Sequence, residues 1–224
     1  MPTADQLREE GLTLCRAKDF TAGEAKLREA LDLAPTDPAT LEALIKVRGV
    51  QKDLAGAKAI YLQAVEKDPT LTKPRHAYGL LAYNSAEYGE AKDCFRKLVE
   101  MNQKDAEAHF QLGNVYRKEE SYGEARKHYN LAIDNSPRHG LAYNNLGLCF
   151  LAEDDVHNAI QNFRQAIDAE PANPRYQMNL GIALEKGERY GEATQVWEKV
   201  LTLDNLKPAD MEEAIEHLSA CKTR

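Results

Sequence analysis

The chain contains 224 residues, carries a formal net charge of −7, and is 29% charged but only 7% aromatic. This acidic balance argues against a nucleic-acid ligand, because binding to phosphates requires a basic face. A cationic or neutral peptide is the easier partner for such a surface.

One sequence pattern recurs every 34 residues and is clearest in the segment 106–139. There Leu112, Gly113 and Tyr116 are followed by Tyr129. The same residue types return in the next two periods as Leu146, Gly147, Phe150 and Phe163, and as Leu180, Gly181, Leu184 and Trp197. A fixed period of this length with these residue types is the pattern of the tetratricopeptide repeat, in which each unit forms two antiparallel helices.

The period divides the chain into six units without insertion or deletion. Counting from the clearest unit in both directions gives the repeats 4–37, 38–71, 72–105, 106–139, 140–173 and 174–207. Because no length is left for a second domain, we predict a single solenoid domain that spans residues 1–224.

Small residues and a proline predict how the helices of one unit pack. In the repeat 106–139, Gly113 and Ala125 remove side-chain bulk, so the two helices can approach closely. Pro137 ends the second helix, because it lacks an amide donor and disfavours a helical residue before it.

The repeat 38–71 departs furthest from the pattern. Ile45 replaces the usual glycine, Arg48 replaces the aromatic residue, and Gly49 lies inside the first helix, where a glycine costs about 1 kcal/mol. Since stability in a repeat array is local, we expect the N-terminal third of the chain to open first.

The segment 208–224 breaks the repeat and is predicted to form a capping helix. Asp210 followed by Glu213 is typical of a capping box at its start. The stripe expected to cover the apolar face of the last repeat consists of Met211, Ala214, Ile215 and Leu218. The alternative is a detachable helix that competes with a partner.

Across essentially the whole chain, these residues resemble the tetratricopeptide repeat family. The resemblance implies an all-α fold, a right-handed α-solenoid of six helix-turn-helix repeats with a C-terminal capping helix. It also implies a concave groove, lined by the first helix of each repeat, that holds a partner peptide. Members of the family act as scaffolds, co-chaperones and assembly factors without chemistry of their own, so we expect a non-enzymatic adaptor or assembly factor that binds a protein or peptide.

The family geometry, applied to this sequence, selects candidate groove residues in the third to sixth repeats. They are Lys73, His76, Leu80 and Tyr83, then Phe110, Asn114 and Arg117, then Asn145 and Leu148, and finally Arg175, Met178, Asn179 and Ile182.

Three of these candidates, Asn114, Asn145 and Asn179, are predicted to form a ladder along the groove. An asparagine amide offers two donors and an acceptor, so it can pair with a peptide backbone whatever the peptide's side chains. An apolar strip beside the ladder, on a face expected to be exposed to solvent, also suggests a binding site. The strip consists of Phe110, Leu148, Leu151, Met178 and Ile182. The structural alternative is that these side chains only contact neighbouring first helices.

A carboxylate clamp, which holds the acidic C-terminus of large chaperones in one subfamily, is only partly matched. Asn114 and Asn145 are present, and Arg175 can replace one lysine. However, Phe110 and Asn179 stand where two further cations belong. A co-chaperone with a degenerate clamp is therefore a minor alternative.

The sequence shows no motif for catalysis, a cofactor or a metal ion. The six histidines are scattered, without a metal-ligand pair on a helix, and His109 is expected to be a packed imidazole. Asp154 and Asp155 are expected at a turn, where capping explains them. The four cysteines have no paired spacing, which favours buried or half-exposed thiols in a reducing compartment.

We see neither a secretory signal nor an apolar run long enough for a membrane span, so a cytoplasmic location is the default expectation. A self-assembling scaffold, similar to magnetosome-type and secretion-type tetratricopeptide proteins, is the main alternative to a peptide-binding adaptor. In that case the chain ends or the convex face would bind a second copy and form a homo-oligomer. An RNA-binding helical repeat is disfavoured, because the groove positions do not supply a basic surface.

Overall fold

The computed structural model describes residues Met1–Arg224, which form thirteen α-helices and no strand. The helices are α1 (Ala4–Arg16), α2 (Phe20–Leu33), α3 (Pro38–Val50), α4 (Leu54–Lys67), α5 (Lys73–Asn84), α6 (Tyr88–Met101), α7 (Ala106–Lys118), α8 (Tyr122–Asn135), α9 (Gly140–Ala152), α10 (Val156–Ala169), α11 (Pro174–Lys186), α12 (Tyr190–Val200) and α13 (Pro208–Lys222). The predicted fold class, an all-α solenoid of helix pairs with one additional C-terminal helix, is confirmed.

The helices belong to two compact units. The first unit, Met1–Gln103, contains α1 to α6, and the second unit, Lys104–Arg224, contains α7 to α13. The organisation of residues 1–224 as a single domain stays a prediction.

Each helix pair is joined by a tight turn with one residue in the left-handed conformation. These residues have φ between 56° and 68°, and they are Lys18, Lys52, Ala86, Glu120, Asp154 and Glu188. A left-handed residue redirects the chain, so the first helix ends there. In three pairs the next residue is an aspartate whose side chain accepts a hydrogen bond from the start of the second helix; they are Asp19, Asp53 and Asp155. Capping by Asp155 is therefore confirmed, while Asp154 takes the left-handed position.

In the second unit, the two helices of a pair approach closely at a glycine. A Cβ atom on Gly113 would lie 2.6 Å from the ring of Tyr129, and one on Gly147 would lie 2.7 Å from the ring of Phe163. The aromatic residues at this position are fully buried, and they are Tyr129, Phe163 and Trp197. The predicted close approach is confirmed, since no larger residue fits beneath these rings.

In the first unit, the irregular pair α3 and α4 combines apolar and ionic contacts. Ile45 is fully buried in the place of the usual glycine. Arg48, in the aromatic position, lies 2.7 Å from Asp53 Oδ2 and also forms an ion pair with Glu24 of α2. The guanidinium therefore links α3 to α2 and to the turn that precedes α4.

Helix α13 packs on α12, but its buried face differs from the predicted stripe. Ala214 is buried and Leu218 is half-buried, whereas Met211 and Ile215 are 41% and 52% exposed. The prediction was wrong for these two residues, because the contact follows a narrow line along the helix that consists of Ala214, His217, Leu218 and Cys221.

A polar contact fixes α13 to the last repeat. His217 stacks on Trp197 with ring centroids 4.7 Å apart. Trp197 Nε1 donates to Glu185 Oε1 at 2.6 Å, and His217 Nδ1 lies 2.9 Å from the same oxygen. The capping helix is thus bound through hydrogen bonds as well as through apolar burial.

The predicted capping box at the start of α13 was wrong. The helix begins at Pro208, two residues before Asp210, and no side chain caps it. Proline at the first helical position has the required φ, and the amide that it lacks would have no partner within the helix. Asp210 and Glu213 are therefore not engaged in capping.

Other polar residues lie where the sequence places them. His109 is 3% exposed, and its Nδ1 lies 3.0 Å from His128 Nδ1, which confirms a packed imidazole. All four cysteines are free thiols, with Cys15 half-buried and the others buried.

No helix combines the length and the apolar character that a membrane span requires.

Candidate functional site

Most of the predicted groove residues lie on α7, α9 and α11 of the second unit. Arg175 is exposed; Arg117, Asn145, Leu148, Asn179 and Ile182 are half-buried; Phe110, Asn114 and Met178 are buried. The remaining candidates lie on α5 of the first unit, where Lys73 is exposed and His76, Leu80 and Tyr83 are half-buried. A role of α5 in binding stays a prediction.

The predicted asparagine ladder is a continuous chain of hydrogen-bonded amides. Asn179 Nδ2 donates to Asn144 Oδ1 at 2.7 Å, and Asn144 Nδ2 donates to Asn145 Oδ1 at 3.1 Å. Asn145 Nδ2 in turn donates to Asn114 Oδ1 at 2.8 Å. The chain therefore joins α11, α9 and α7. The link that the sequence analysis missed is Asn144, which is 2% exposed.

The amide chain has a direction, and it ends at a carboxylate. Asn114 Nδ2 donates to Gln111 Oε1 at 3.1 Å, and Gln111 Nε2 donates to Glu107 Oε1 at 2.6 Å. An ionised carboxylate only accepts hydrogen bonds, so every amide nitrogen in the chain points towards Glu107. The opposite end of the chain is the amide oxygen of Asn179.

A buried tyrosine supports the centre of the amide chain. Tyr129 Oη donates to Asn114 Oδ1 at 2.8 Å, and Arg117 Nε donates to Tyr129 Oη at 3.3 Å. Burial raises the pKa of Tyr129, so its phenol stays protonated and remains a donor. Asn114 is thus held by the interior of the unit, while the half-buried Asn145 and Asn179 keep part of their surface in solvent.

The candidates of the apolar strip differ in accessibility. Phe110 is 7% exposed, because its ring packs against His139 and Tyr129 at centroid distances of 4.7 and 6.0 Å. Leu148 and Ile182 are half-buried and pack on the apolar core of the last two repeats. The accessible part of the strip therefore lies towards α9 and α11.

Four of the predicted residues meet in one cavity between α11 and α13. Its volume is about 370 Å³, and it is lined by Asn173, Pro174, Arg175, Met178, Asn179, Ile182, Asn205, Lys207, Asp210 and Glu213. The sequence analysis missed the residues before α11 and after α12. It assigned Asp210 and Glu213 to a capping box, although their position beyond the last repeat was a signal that they lie next to α11.

Comparison with known proteins identifies the repeat. A sequence profile described as the tetratricopeptide repeat matches residues 76–140 and 144–208, which together make up more than half of the chain. No curated protein matches the chain significantly.

Several solved structures have a similar fold. PilF of Pseudomonas aeruginosa is 16% identical with a TM-score of 0.73, and the match covers 95% of this chain and 97% of that one. YrrB, a tetratricopeptide repeat protein with an unusual peptide-binding site, is 19% identical with a TM-score of 0.64, covering 84% and 96%. MamA from Desulfovibrio magneticus RS-1 is 21% identical with a TM-score of 0.66, covering 75% and 96%. At such identities the similarity shows the fold alone.

Proposed function

Because the chain belongs to the tetratricopeptide repeat family, we propose that it is a non-enzymatic interaction module that binds an extended segment of a partner protein along α7, α9 and α11. The observation that carries this proposal is the cavity that brings Arg175, Met178, Asn179 and Ile182 together. A concave site with an apolar wall and a few convergent polar groups is the common form of a binding site.

The amide chain supports the proposal because it holds its accessible members in place. Each asparagine nitrogen carries two hydrogens, and Asn145 and Asn179 each donate one of them within the chain. The second hydrogen can bind a peptide carbonyl. Since neighbouring amides already fix both side chains, little conformational entropy is lost when a peptide binds.

The proposal is tested by selecting peptides from a random phage-displayed library on the full chain and measuring the affinity of an enriched peptide by calorimetry. We expect the double variant Arg175→Ala/Ile182→Ala to bind about tenfold more weakly, because it removes a cation and an apolar contact from the cavity. The matched control, Arg138→Ala/Leu131→Ala, removes the same kinds of side chain from exposed positions elsewhere in the second unit. Failure to enrich any peptide, or equal binding by the two variants, would reject the proposal.

A self-assembling scaffold is the second candidate function, and one observation favours it. Met211 and Ile215 lie one turn apart on α13 and are 41% and 52% exposed, which leaves an apolar surface on the last helix. If a second copy binds there, the molar mass in light scattering rises with concentration, and Ile215→Lys abolishes the increase. A constant mass would exclude this candidate.

We also propose a cytoplasmic location, which the thiols support. Burial raises the pKa of Cys94 and of Cys149 to about 11, so both remain protonated and poorly reactive. Unpaired thiols of this kind suit a reducing compartment. Recovery of the protein in a membrane or extracellular fraction of its native cells would contradict the proposal.

A further inference from the structure

The cavity between α11 and α13 is lined by amide oxygens that remain free to accept hydrogen bonds. Three asparagines line it, and each donates its amide nitrogen to the protein, at distances of 2.7, 3.1 and 3.3 Å. They are Asn179, Asn205 and Asn173. Besides a second amide hydrogen, each of them leaves its amide oxygen for a ligand, and this oxygen accepts no hydrogen bond from the protein.

The orientation of the Asn179 amide follows from the chain of which it is the last member. Turning this amide around would place its oxygen against Asn144 Oδ1, which also is an acceptor. Asn144 cannot turn in compensation, because the direction of the whole chain is set by the carboxylate of Glu107. The protein therefore keeps an acceptor at the Asn179 end.

Two carboxylates extend this set of acceptors. Asp210 and Glu213 lie one turn apart on α13, line the cavity, and form no ion pair or hydrogen bond with the protein. Arg175 and Lys207 also line the cavity, but both are exposed, and their long flexible stems allow the charges to stay in water. The shorter Asp210 side chain is half-buried, so its charge stays at the cavity wall.

The opposite wall is apolar. Met178 is only 8% exposed, and Ile182 and Pro174 are half-buried beside it. A surface of this kind suits the methylene stem of a long side chain. A ligand side chain whose methylene stem lies along this wall and whose end reaches Asp210 must carry several hydrogen-bond donors and a positive charge at that end.

We infer that the cavity takes a lysine or arginine side chain of the bound segment, an inference that rests on the proposed function. An ammonium group offers three donors and a guanidinium five, which match the amide oxygens and the two carboxylates. The net charge of −7 also attracts a cationic segment. Helix α13 is then part of the binding site, because it supplies the charge that selects the cation.

The site is tested with small probes rather than with an unknown partner. The chain has four methionines, so ¹³C-methyl labelling gives a resolvable signal for Met178. The probes are Nα-acetyl-lysine N-methylamide, the arginine equivalent, and the norleucine and glutamate equivalents as controls. We expect the lysine and arginine probes to shift the Met178 methyl signal at concentrations at which the norleucine probe, with the same stem but no charge, does not.

A matched pair of variants separates the two cavity carboxylates from the general charge of α13. Asp210→Asn/Glu213→Gln removes the carboxylates at nearly constant shape and should weaken lysine binding by about tenfold. Glu212→Gln/Glu216→Gln removes two exposed carboxylates of the same helix that do not line the cavity, and should weaken it by less than about twofold. If melting shows that the first variant is unfolded, Glu213→Gln alone replaces it, since Glu213 is exposed.

The inference is overturned if the norleucine or glutamate probe binds as well as the lysine probe. It is also overturned if the two double variants weaken binding of the lysine probe to the same extent. The phage-display selection separates this failure from a failure of the proposed function. Enriched peptides without a preferred basic residue would reject the cation site and leave the interaction module intact. A lysine probe that shifts Met178 although no peptide is enriched would reject the module and leave the cation site intact.

Discussion

The second unit and the pair of α3 and α4 in the first unit use different contacts at equivalent places. In the second unit a glycine on the first helix faces an aromatic ring on the second, as Gly147 faces Phe163. In the first unit α3 has Ile45 and Arg48 instead, and Arg48 forms ion pairs with residues of α2 and of the following turn. Packed apolar contacts keep their strength in salt, whereas partly exposed ion pairs contribute little.

Regions with the same repeat period can therefore differ in the contacts that stabilise their helix pairs. The helix pairs of the second unit depend on shape, because the ring fills the space that the glycine leaves. The pair of α3 and α4 depends on charge for part of its contacts, and Gly49 lies within α3. We therefore expect the second unit to lose stability when volume is added or an amide is removed, and the pair of α3 and α4 to open more readily.

The largest loss of stability is expected from Gly147→Ala in the second unit. The added methyl would lie 2.7 Å from the ring of Phe163, so we expect the free energy of unfolding to fall by about 2 kcal/mol. Gly123→Ala on α8 is the control, because its methyl meets nothing within 4 Å, and it should stabilise the protein by up to about 1 kcal/mol. Urea denaturation followed by circular dichroism measures both, and equal stability of the two variants would show that the close approach is not required.

A smaller loss is expected from Asn144→Ala. Asn144 is 2% exposed, donates to Asn145 and accepts from Asn179, so its removal leaves polar groups without partners and should cost about 1–2 kcal/mol. Asn130→Ala removes an exposed amide on α8 and should change stability by less than about 0.5 kcal/mol. If both variants melt like the unsubstituted protein, the amide chain does not contribute to stability and this prediction is wrong.

The difference in opening is measured directly by hydrogen exchange. We expect amides in α3 and α4 to be about tenfold less protected than those in α9 and α10, because an interior glycine and ionic contacts weaken the irregular pair. Mass spectrometry of peptic fragments compares these segments within one sample. Uniform protection of the two segments would contradict the comparison.

The smallest loss of stability is expected when the pH is lowered, and it arises from His128 in the second unit. Burial, together with the neighbouring His109, lowers the pKa of His128 from 6.5 to about 4. Between these values the unfolded chain binds more protons than the folded chain, so stability falls as the pH decreases through this window. Because His128 is only half-buried, we expect a loss of about 1 kcal/mol, less than the full linkage value.

Thermal melting at neutral pH and at about pH 5 measures this loss. His128→Gln is the control, because it removes the titrating group and should make the difference between the two pH values smaller. An equal pH dependence of both proteins would assign the loss to other groups.

Residue spacing along the chain was sufficient to predict the helix pairs and their contact positions. Gly113 and Ala125 were recognised as positions of close helix approach because helix periodicity and the repeat pattern place them at the contact between two consecutive helices. The face of α13 was predicted less well, since a helix outside the repeat has no such register. Its apolar residues are consistent with two neighbouring faces, and packing on α12 selected the one that contains Ala214 and leaves Ile215 exposed.

The sequence predicted which residues form the candidate site, but it did not predict their hydrogen bonds. Asn145 and Asn179 were identified from their places on the first helices, but their hydrogen-bond partners were not, because an amide can donate or accept in several directions. The contribution of α13 to the cavity also went unrecognised. It depends on how the last helix lies against α11, and α13 lies outside the repeat pattern that predicts such contacts.

By itself, the sequence determined the all-α fold, the six helix pairs and the family, because a fixed period repeats the same local contacts in every unit. Only the tertiary structure decided which atoms face a ligand. The direction of the amide chain depends on a carboxylate at Glu107, and the cavity depends on two acidic residues of α13. Both also depend on residues far apart in the chain, since Asn145 donates to Asn114 and Asn179 donates to Asn144. The course of the amide chain and the shape of the cavity arise only when such residues are brought together.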